Sequence, residues 1–480
     1  MHYTDIKAQS REAKHCCHMK MLALASGLTA SVLVFSCMLK VPQVHAQTSC
    51  NYYASPNGTG NGLSASTPFQ ISKFWSVATP GKTLCLLDGT YTGENSMIRP
   101  PATFAGTAAQ PITIRALNDG QVRLNGGTSR PVDLQGSYGI LQGVNVFGGD
   151  NTTLMMRGRN WIARRIVAWN NDVRDIGIVS MSGYNNTLED CAAFGVGRKT
   201  LAAGADGGGG GNRNNTVRRC WVRWENRLAG GSPTNPIEMG YAQDGVTLEN
   251  VLATRDLVPG GYENSPEPPF ELFRTRNSRW LGSISYVPSS AKFNAGGLMY
   301  AYGDWGYQSD SSPHANNNVL LKDIVAYISP SHPRFGAVST FQLYNEPAGH
   351  PQLPVTNRVE NLVGVGGGIS RCEAPTWQGC ATMRTGTSLA QAIGAGKTIW
   401  TAVPGVCKRY VNGVLTNEGL WPWPMNQRIK DALVQSGRSP VDVTQTMEDM
   451  FGPINQACKT DTSDSGATFA PRNLRITGAN

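Results

Sequence analysis

Asn185-Asn186-Thr187-Leu188-Glu189-Asp190-Cys191-Ala192-Ala193-Phe194 is followed by Asn214-Asn215-Thr216-Val217-Arg218-Arg219-Cys220-Trp221-Val222-Arg223, with the same order of Asn pair, apolar residue, polar pair and cysteine. A pattern that returns at this interval marks a repeat protein, whose units bury their apolar faces only against one another. Outward from the two cysteines, the same position holds Val144, Ile166, Val251, Ile284, Ile324 and Leu362. Three places earlier stand Leu141, Ala163, Leu188, Val217, Leu248, Leu281, Leu321 and Val359. Alternation of period two breaks between the two apolar positions and then resumes, which reads as a strand, a bend and a second strand. The bend residue is in turn Gly143, Arg165, Asp190, Arg219, Asn250, Ser283, Asp323 and Asn361, so an internal Asn ladder is expected to be partial. Stacked, such units predict an all-β chain, a parallel β-helix wound right-handed as parallel crossovers are, over about residues 83–370.

The interval grows from 22 residues (Val144 to Ile166) to 40 (Ile284 to Ile324). Strand length is set by the neighbouring coil, so the extra residues must leave as loops, where binding and catalysis are commonly housed.

Residues 1–46 read as a signal peptide: Lys14 and Lys20 precede an apolar run from Met21 to Leu39, and Val44-His45-Ala46 offers a small-residue cleavage pattern. An uncleaved anchor and a lipid on Cys37 are the alternatives, and Val34-Phe35-Ser36-Cys37 is a poor lipid-attachment signal. The mature chain is expected to be secreted, extracellular or periplasmic, with no stable membrane insertion. Eight of the 11 cysteines remain after the leader. An even number in an exported chain suggests disulfides, with Cys50–Cys85, Cys372–Cys380 and Cys407–Cys458 the expected pairs. Cys191 and Cys220, about 4.8 Å apart if stacked, admit either a bridge or two buried thiols. The formal charge of +9 includes five cations and two anions of the leader. The mildly basic remainder favours an acidic polysaccharide over nucleic acid as partner, and the protein is expected to be a monomer.

Residues 47–130 supply an N-terminal cap and the first coils. Here Tyr52-Tyr53-Ala54-Ser55-Pro56-Asn57-Gly58, Thr67-Pro68-Phe69, Pro80-Gly81-Lys82-Thr83, Leu87-Asp88-Gly89-Thr90-Tyr91 and the stretch from Gly106 to Ala116 resemble the N-terminal module of secreted right-handed β-helix proteins of the pectate lyase-like superfamily. With the repeats, the resemblance covers about residues 50–370. Ile71, Phe74, Trp75 and Ala78 share one helical face between Pro68 and Pro80, which predicts a short helix, near Ser72 to Ala78, plugging the end of the stack. Leu84–Leu87 and Ile112–Ile114 are expected as the first strands, with Asp88-Gly89 a turn between them. The β-helix proper is assigned to 131–370. Beyond it, 371–458 reads as an irregular, partly helical, disulfide-tied cover over the C-terminal end, with helices near Met425–Val434 and Val443–Phe451. Residues 459–480 form a linker and tail, in which 471–478 look like the opening strand of a fibronectin type III module that the chain is too short to complete.

The resemblance implies one of several functions, since the superfamily holds polysaccharide lyases, hydrolases, esterases and non-enzymatic adhesins. A lyase of an acidic polysaccharide needs a cation, or calcium held by carboxylates, to neutralise the uronate, and a basic side chain to take the adjacent proton. Alternation puts Val179, Met181, Met239, Tyr241 and Leu272 inside, and Ser180, Glu238, Glu271 and Phe273 outside on one face. Arg198 and Lys199 enter from the neighbouring loop. Lys199, Arg198, Glu238 and Glu271 are therefore the candidate catalytic residues, and Asp206, Glu238 and Glu271 the candidate calcium ligands. Tyr300, Tyr302, Trp305 and Arg274 are candidates for binding sugar by ring stacking and charge pairing. Trp221 and Trp224, flanking Arg218, Arg219 and Arg223, carry the same signature. Each of these also fits a half-buried strand residue, and it is their convergence on one face that singles them out. The Lys-Ser-Ser element of chondroitinase B-like and alginate lyases and the Gly-His-Gly of pectin hydrolases are absent. Arg428-Ile429-Lys430 matches the hydrolases' Arg-Ile-Lys but falls on the expected cap helix. Beside a lyase stand a non-catalytic carbohydrate-binding or cell-surface module and a glycoside hydrolase using Glu238 and Glu271.

Overall fold

A computed structural model describes residues 49–149, 152–170, 177–204, 213–226, 235–255, 269–291, 297–303, 316–345, 356–372 and 376–460. The leader, Cys37, Asp206, Trp305 and the tail from 461 onward lie outside the described residues.

Coil pairs with coil in parallel, and the register is the one the repeat predicts. Leu188 lies opposite Val217 and Cys191 opposite Cys220. The ladder continues back to Ala163 and Ile166 and forward to Leu248. Three faces result. The first runs through Thr83–Leu86, Ile112–Ala116 and Gly139–Gln142 and then the opening halves of Ile162–Asn170, Thr187–Val196 and Thr216–Asn226. The second takes their closing halves, after strands Gly89–Tyr91, Val122–Asn125 and Val144–Phe147. The third stacks Val132–Leu134, Leu154–Met156, Val179–Met181, Lys199–Gly204, Asn235–Asp244, Phe270–Arg276, Gly297–Gly303, Ser339–Asn345 and Ile369–Cys372. A continuous apolar core fills the interior from Ala54 to Trp377. The architecture is an all-β parallel β-helix.

The bends between the first two faces need left-handed backbone, and φ is +53° at Arg165, +47° at Asp190, +51° at Arg219, +52° at Asn250, +54° at Asp323 and +58° at Asn361. One coil departs from the expected position: Gly282, with φ +58°, takes the bend in place of Ser283. Glycine adopts that conformation without a Cβ clash, which leaves Ser283 Oγ to accept from the Val251 amide at 3.1 Å.

The Asn pairs have a different use from the bends. Asn185 and Asn214 take left-handed corners at φ +54° and +55°, while Asn186 and Asn215 are fully buried. Asn215 Oδ1 accepts from the Asn186 amide at 2.9 Å and its Nδ2 donates to the Gly183 carbonyl at 2.8 Å. Asn186 repeats this on the Trp161 amide and the Gly158 carbonyl. The internal Asn ladder therefore stands at the corner entering the first face, where corner backbone groups have no strand partner and must be satisfied by side chains.

At the N-terminal end, strand Tyr52–Ala54 pairs with Thr83–Leu86 and the helix Ile71–Phe74 buries Ile71 and Phe74. This helix is shorter than the expected one and starts one residue earlier. The Asp88-Gly89 turn is a bend within a coil, leading to strand Gly89–Tyr91, and Ile112–Ala116 follows one coil later, parallel to Thr83–Leu86.

The C-terminal segment differs from the expected end cover. After strand Arg384–Gly386 has joined the last coil, the chain turns back and packs along the outside of the second face. Trp169, Phe194, Trp221, Leu252 and Tyr327 form one buried cluster with Trp400, Trp421, Ile429, Leu433, Met447 and Phe451. The physical reason lies on the second face, whose outward row Phe147, Trp169, Phe194, Trp221 is apolar, with ring centroids 4.8, 5.8 and 6.1 Å apart in succession; left in water it would be a large exposed patch. The helices Asn426–Gln435 and Val443–Phe451 lie close to their expected positions. All four cysteine pairs are bridged, Cys191–Cys220 among them with Cα atoms 4.5 Å apart.

Candidate functional site

The second face is covered by the C-terminal segment, whereas the third carries an outward row of polar residues from Glu238 onward. Its inward residues are Val179 and Met181, Leu201 and Ala203, Ile237 and Met239, Phe270 and Leu272, Phe341 and Leu343, all in the core. Alternation then directs one outward row, coil by coil: Ser180 opposite Ala202, Ala202 opposite Glu238, Glu238 opposite Glu271, Glu271 opposite Tyr300, Tyr300 opposite Gln342 and Gln342 opposite Arg371. The longer insertions all adjoin this face in the chain: 205–212 follows Lys199–Gly204, 227–234 precedes Asn235–Asp244, 256–268 precedes Phe270–Arg276 and 304–315 follows Gly297–Gly303.

Lys199, Glu238 and Glu271 come together. Lys199 Nζ donates to Glu238 Oε1 at 2.5 Å, both side chains 4 % exposed. Burial of two opposite charges is stable only when they are paired and hydrogen-bonded, so this contact holds both in one orientation. Gly240 leaves room for it, since a Cβ there would meet Glu238 Oε1 at 3.0 Å. One coil on, Asn235 Nδ2 donates to Glu271, which is 1 % exposed. Arg198 adjoins the pair in sequence, is half-buried, and its carbonyl accepts from the Asn235 amide at 3.2 Å. Tyr300 follows Glu271 in register, half-buried, its ring lying over Gly297, where a Cβ would be 2.5 Å from the ring edge.

Other candidates fall elsewhere. Arg274 takes left-handed backbone, φ +52°, and lies over the Phe273 ring at 4.4 Å, buried. The Tyr302 backbone is opposite Phe273; its side chain, like Tyr241's, lies outside the described residues. Trp221 and Trp224 are each 2 % exposed, and Arg218, Arg219 and Arg223 are buried, so this group offers no open sugar platform. Arg223 instead pairs with Glu225, which also accepts from Arg438 of the C-terminal segment at 2.5 Å. Arg428 is likewise structural, bonded to Asp119 and to the Arg165 carbonyl.

For calcium, the described residues contain no group of three or more His, Cys, Asp or Glu side chains fit to hold a metal. Calcium takes six to eight oxygens, and the cation already on Glu238 is Lys199. The described donor set does not fit the ion; Asp206, the third expected ligand, lies outside the described residues.

Sequence reasoning missed Asn235, Gln342, Tyr344 and Arg371. The alternation Phe341-Gln342-Leu343-Tyr344 was a readable signal for two of them, whereas Asn235 emerges only from the pairing of its coil with the next.

No family model matches the sequence, and neither does any curated protein. Solved structures do resemble the fold. A pectate lyase aligns at 17 % identity over 62 % of this chain and 78 % of its own, with TM-score 0.42. An alginate lyase from Paenibacillus aligns at 14 % over 64 % and 94 %, with TM-score 0.43. A rhamnogalacturonan lyase aligns at 16 % over 68 % and 77 %, with TM-score 0.39. The structural neighbours of this parallel β-helix are polysaccharide lyases, and the fold itself rests on the chain's own strand register.

Proposed function

We propose that this protein is an exported lyase of an acidic polysaccharide, cleaving by β-elimination on the third face. The observation that carries the reading is the buried Lys199–Glu238 pair stacked directly beside Asn235–Glu271. Preorganised polar groups of this kind are costly to bury and are justified where they face a reacting charge. In β-elimination, a cation facing the uronate carboxylate makes the neighbouring ring proton acidic, a base takes that proton, the electron pair forms a ring double bond, and the glycosidic oxygen leaves, taking a proton from water. Lys199, held in place by Glu238, is assigned as the base, which requires that it first pass its proton to the Glu238 carboxylate, and Arg198 is assigned as the cation toward the uronate carboxylate. Tyr300 is assigned to sugar binding, with Tyr302 and Trp305 as the further rings proposed for it. Four disulfides fit an oxidising compartment and hence an exported protein.

The test is ultraviolet absorbance of unsaturated product on a panel of uronate polymers, with Lys199→Ala expected to abolish turnover and keep the far-ultraviolet circular dichroism of the wild type. Retained binding without product on any polymer would favour a carbohydrate-binding module. Glycoside hydrolysis is supported by one specific feature: Glu238 and Glu271 stand on adjacent strands, about 4.8 Å apart at the backbone, close to the ~5–5.5 Å between the carboxyl groups of retaining enzymes. New reducing ends without ultraviolet absorbance would select it. Activity that survives chelation assigns charge neutralisation to the protein's own cations, and activity lost to EDTA and restored by Ca²⁺ assigns it to calcium.

A further inference from the structure

The corner that joins the third face to the first carries a row of its own, outside the candidate site. Parallel bridges stack Ala105, Ser137, Arg159, Tyr184, Arg213 and Asp244 on successive coils, and Arg276 follows Asp244 in register. Arg159, Tyr184 and Arg213 are all exposed, and Tyr184 keeps 39 % of its surface in water. The Arg159 guanidinium lies 5.8 Å from the centroid of that ring. Neither Arg159 nor Arg213 has an ion pair or a side-chain hydrogen bond among the described residues. The acids beside them are engaged elsewhere: Asp244 with Arg276 at 3.3 Å and Asn277 at 2.7 Å, and Asp133 with Arg130 at 3.1 Å and Arg157 at 2.8 Å. Two uncompensated cations therefore stand one coil to either side of an exposed ring. Coils repeat every ~4.8 Å, which sets the two arginines about 10 Å apart at the backbone. That is close to the ~8 Å screening length at physiological salt, so their fields overlap above the ring.

A strip of cation, ring and cation, one side chain wide and parallel to the helix axis, has the shape of a single polymer strand. A pyranose unit in an extended polysaccharide has nearly the repeat of the coil, so a sugar against Tyr184 brings its neighbours to Arg159 and Arg213. Carboxylates on those neighbours suit the guanidinium groups, which pair with planar anions through two parallel hydrogen bonds. A protein partner fits less well, because a stable interface buries upward of ~1,000 Å² around several apolar anchors and this row offers one ring.

We propose that Arg159, Tyr184 and Arg213 form a docking strip for an acidic polysaccharide, separate from the third-face site and holding the polymer without reacting with it. The strip uses no residue assigned to catalysis, so it stands or falls apart from the lyase reading.

Affinity electrophoresis tests it. The full chain, Arg159→Gln/Arg213→Gln and Tyr184→Ser are run through gels containing polygalacturonate, alginate or neutral galactan, with matching thermal melts to show that the variants fold. Turnover of uronate trimers is followed in parallel by ultraviolet absorbance. The expected result is retardation of the wild type by an acidic polymer and none by galactan. The apparent Kd should rise about tenfold or more in the double variant, each arginine supplying one charge-assisted contact, and less in Tyr184→Ser, with trimer turnover unchanged. Retardation of both variants equal to the wild type overturns the strip and leaves the proposed function standing. Tighter binding to phosphatidylglycerol vesicles than to either acidic polymer, lost in the same variants, overturns polysaccharide as the occupant. No retardation of the wild type in either acidic gel overturns the strip, and only the absence of unsaturated product as well removes the lyase.

Discussion

Asp190 shows how much one bend residue can carry. It holds left-handed backbone that aspartate tolerates, and its carboxylate accepts from Arg219 Nε at 2.6 Å and Nη2 at 3.1 Å across adjacent coils. Burial alone would raise this carboxyl, but the Arg219 charge and its hydrogen bonds outweigh that and hold it below the ordinary carboxylate range. The sign of the linkage follows: a depressed acid stabilises the fold above its unfolded pKa and loses that contribution as pH falls through the depressed value. Asp190→Asn keeps the shape and the backbone conformation but removes the two-bonded counter-charge of Arg219, leaving it the Glu189 carboxylate at 3.4 Å. At neutral pH it is expected to cost about 3 kcal/mol in denaturant unfolding, and the gap to wild type should narrow as pH is lowered below 4. A constant gap across pH would contradict the ion-pair account. The bend was legible in the sequence as a break in alternation, whereas the Arg219 partner became visible only once the coils were in register.

Among the elements, the helix Asn426–Gln435 was readable from its apolar stripe, and its docking site was not. Ile429, Ala432 and Leu433 are buried as that stripe requires, yet nothing local says that they meet the second face. The docking is locked by Arg428, which donates to Asp119, to the Val144 and Arg165 carbonyls and to Asn145. Burial pushes its guanidinium down to about 10, against the opposing pull of Asp119. Arg428→Ala removes these bonds and leaves two carbonyls without their donor. It is expected to lower the local stability of residues 387–458 by roughly 2–3 kcal/mol while the coils stay folded. Hydrogen exchange should show faster exchange in that segment alone; uniform acceleration across the coils would mean that the helix is integral to the whole stack.

On the scale of the whole molecule, the coils are joined by parallel ladders, and the C-terminal segment docks on them by side-chain packing while the Cys407–Cys458 bridge, closing a separation of 51 residues, ties the segment to itself. Loop-closure entropy for a ring of that size is worth about 4 kcal/mol. Replacing both cysteines by serine is expected to split a single denaturant transition into two, the C-terminal segment releasing first, as seen by tryptophan fluorescence from Trp400, Trp421 and Trp423. One transition at unchanged midpoint would show that the segment keeps its fold and its docking without the internal bridge.

Period-two alternation is a local property, written in each strand, and with the returning Asn-Asn and Cys positions it determined the parallel stack, the pairing of Cys191 with Cys220 on adjacent coils and the outward direction of Ser180, Glu238 and Glu271. Contacts between residues far apart in the chain are different in kind. Lys199 meets Glu238 across 39 residues and Asn235 meets Glu271 across 36, through insertions of unequal length that follow no repeat. Those contacts, the alignment of Arg159, Tyr184 and Arg213 on one corner and the folding of the C-terminal segment onto the flank were decided by tertiary structure alone. Their geometry depends on which face is left apolar and which coil lies next to which, and no single stretch of sequence contains either.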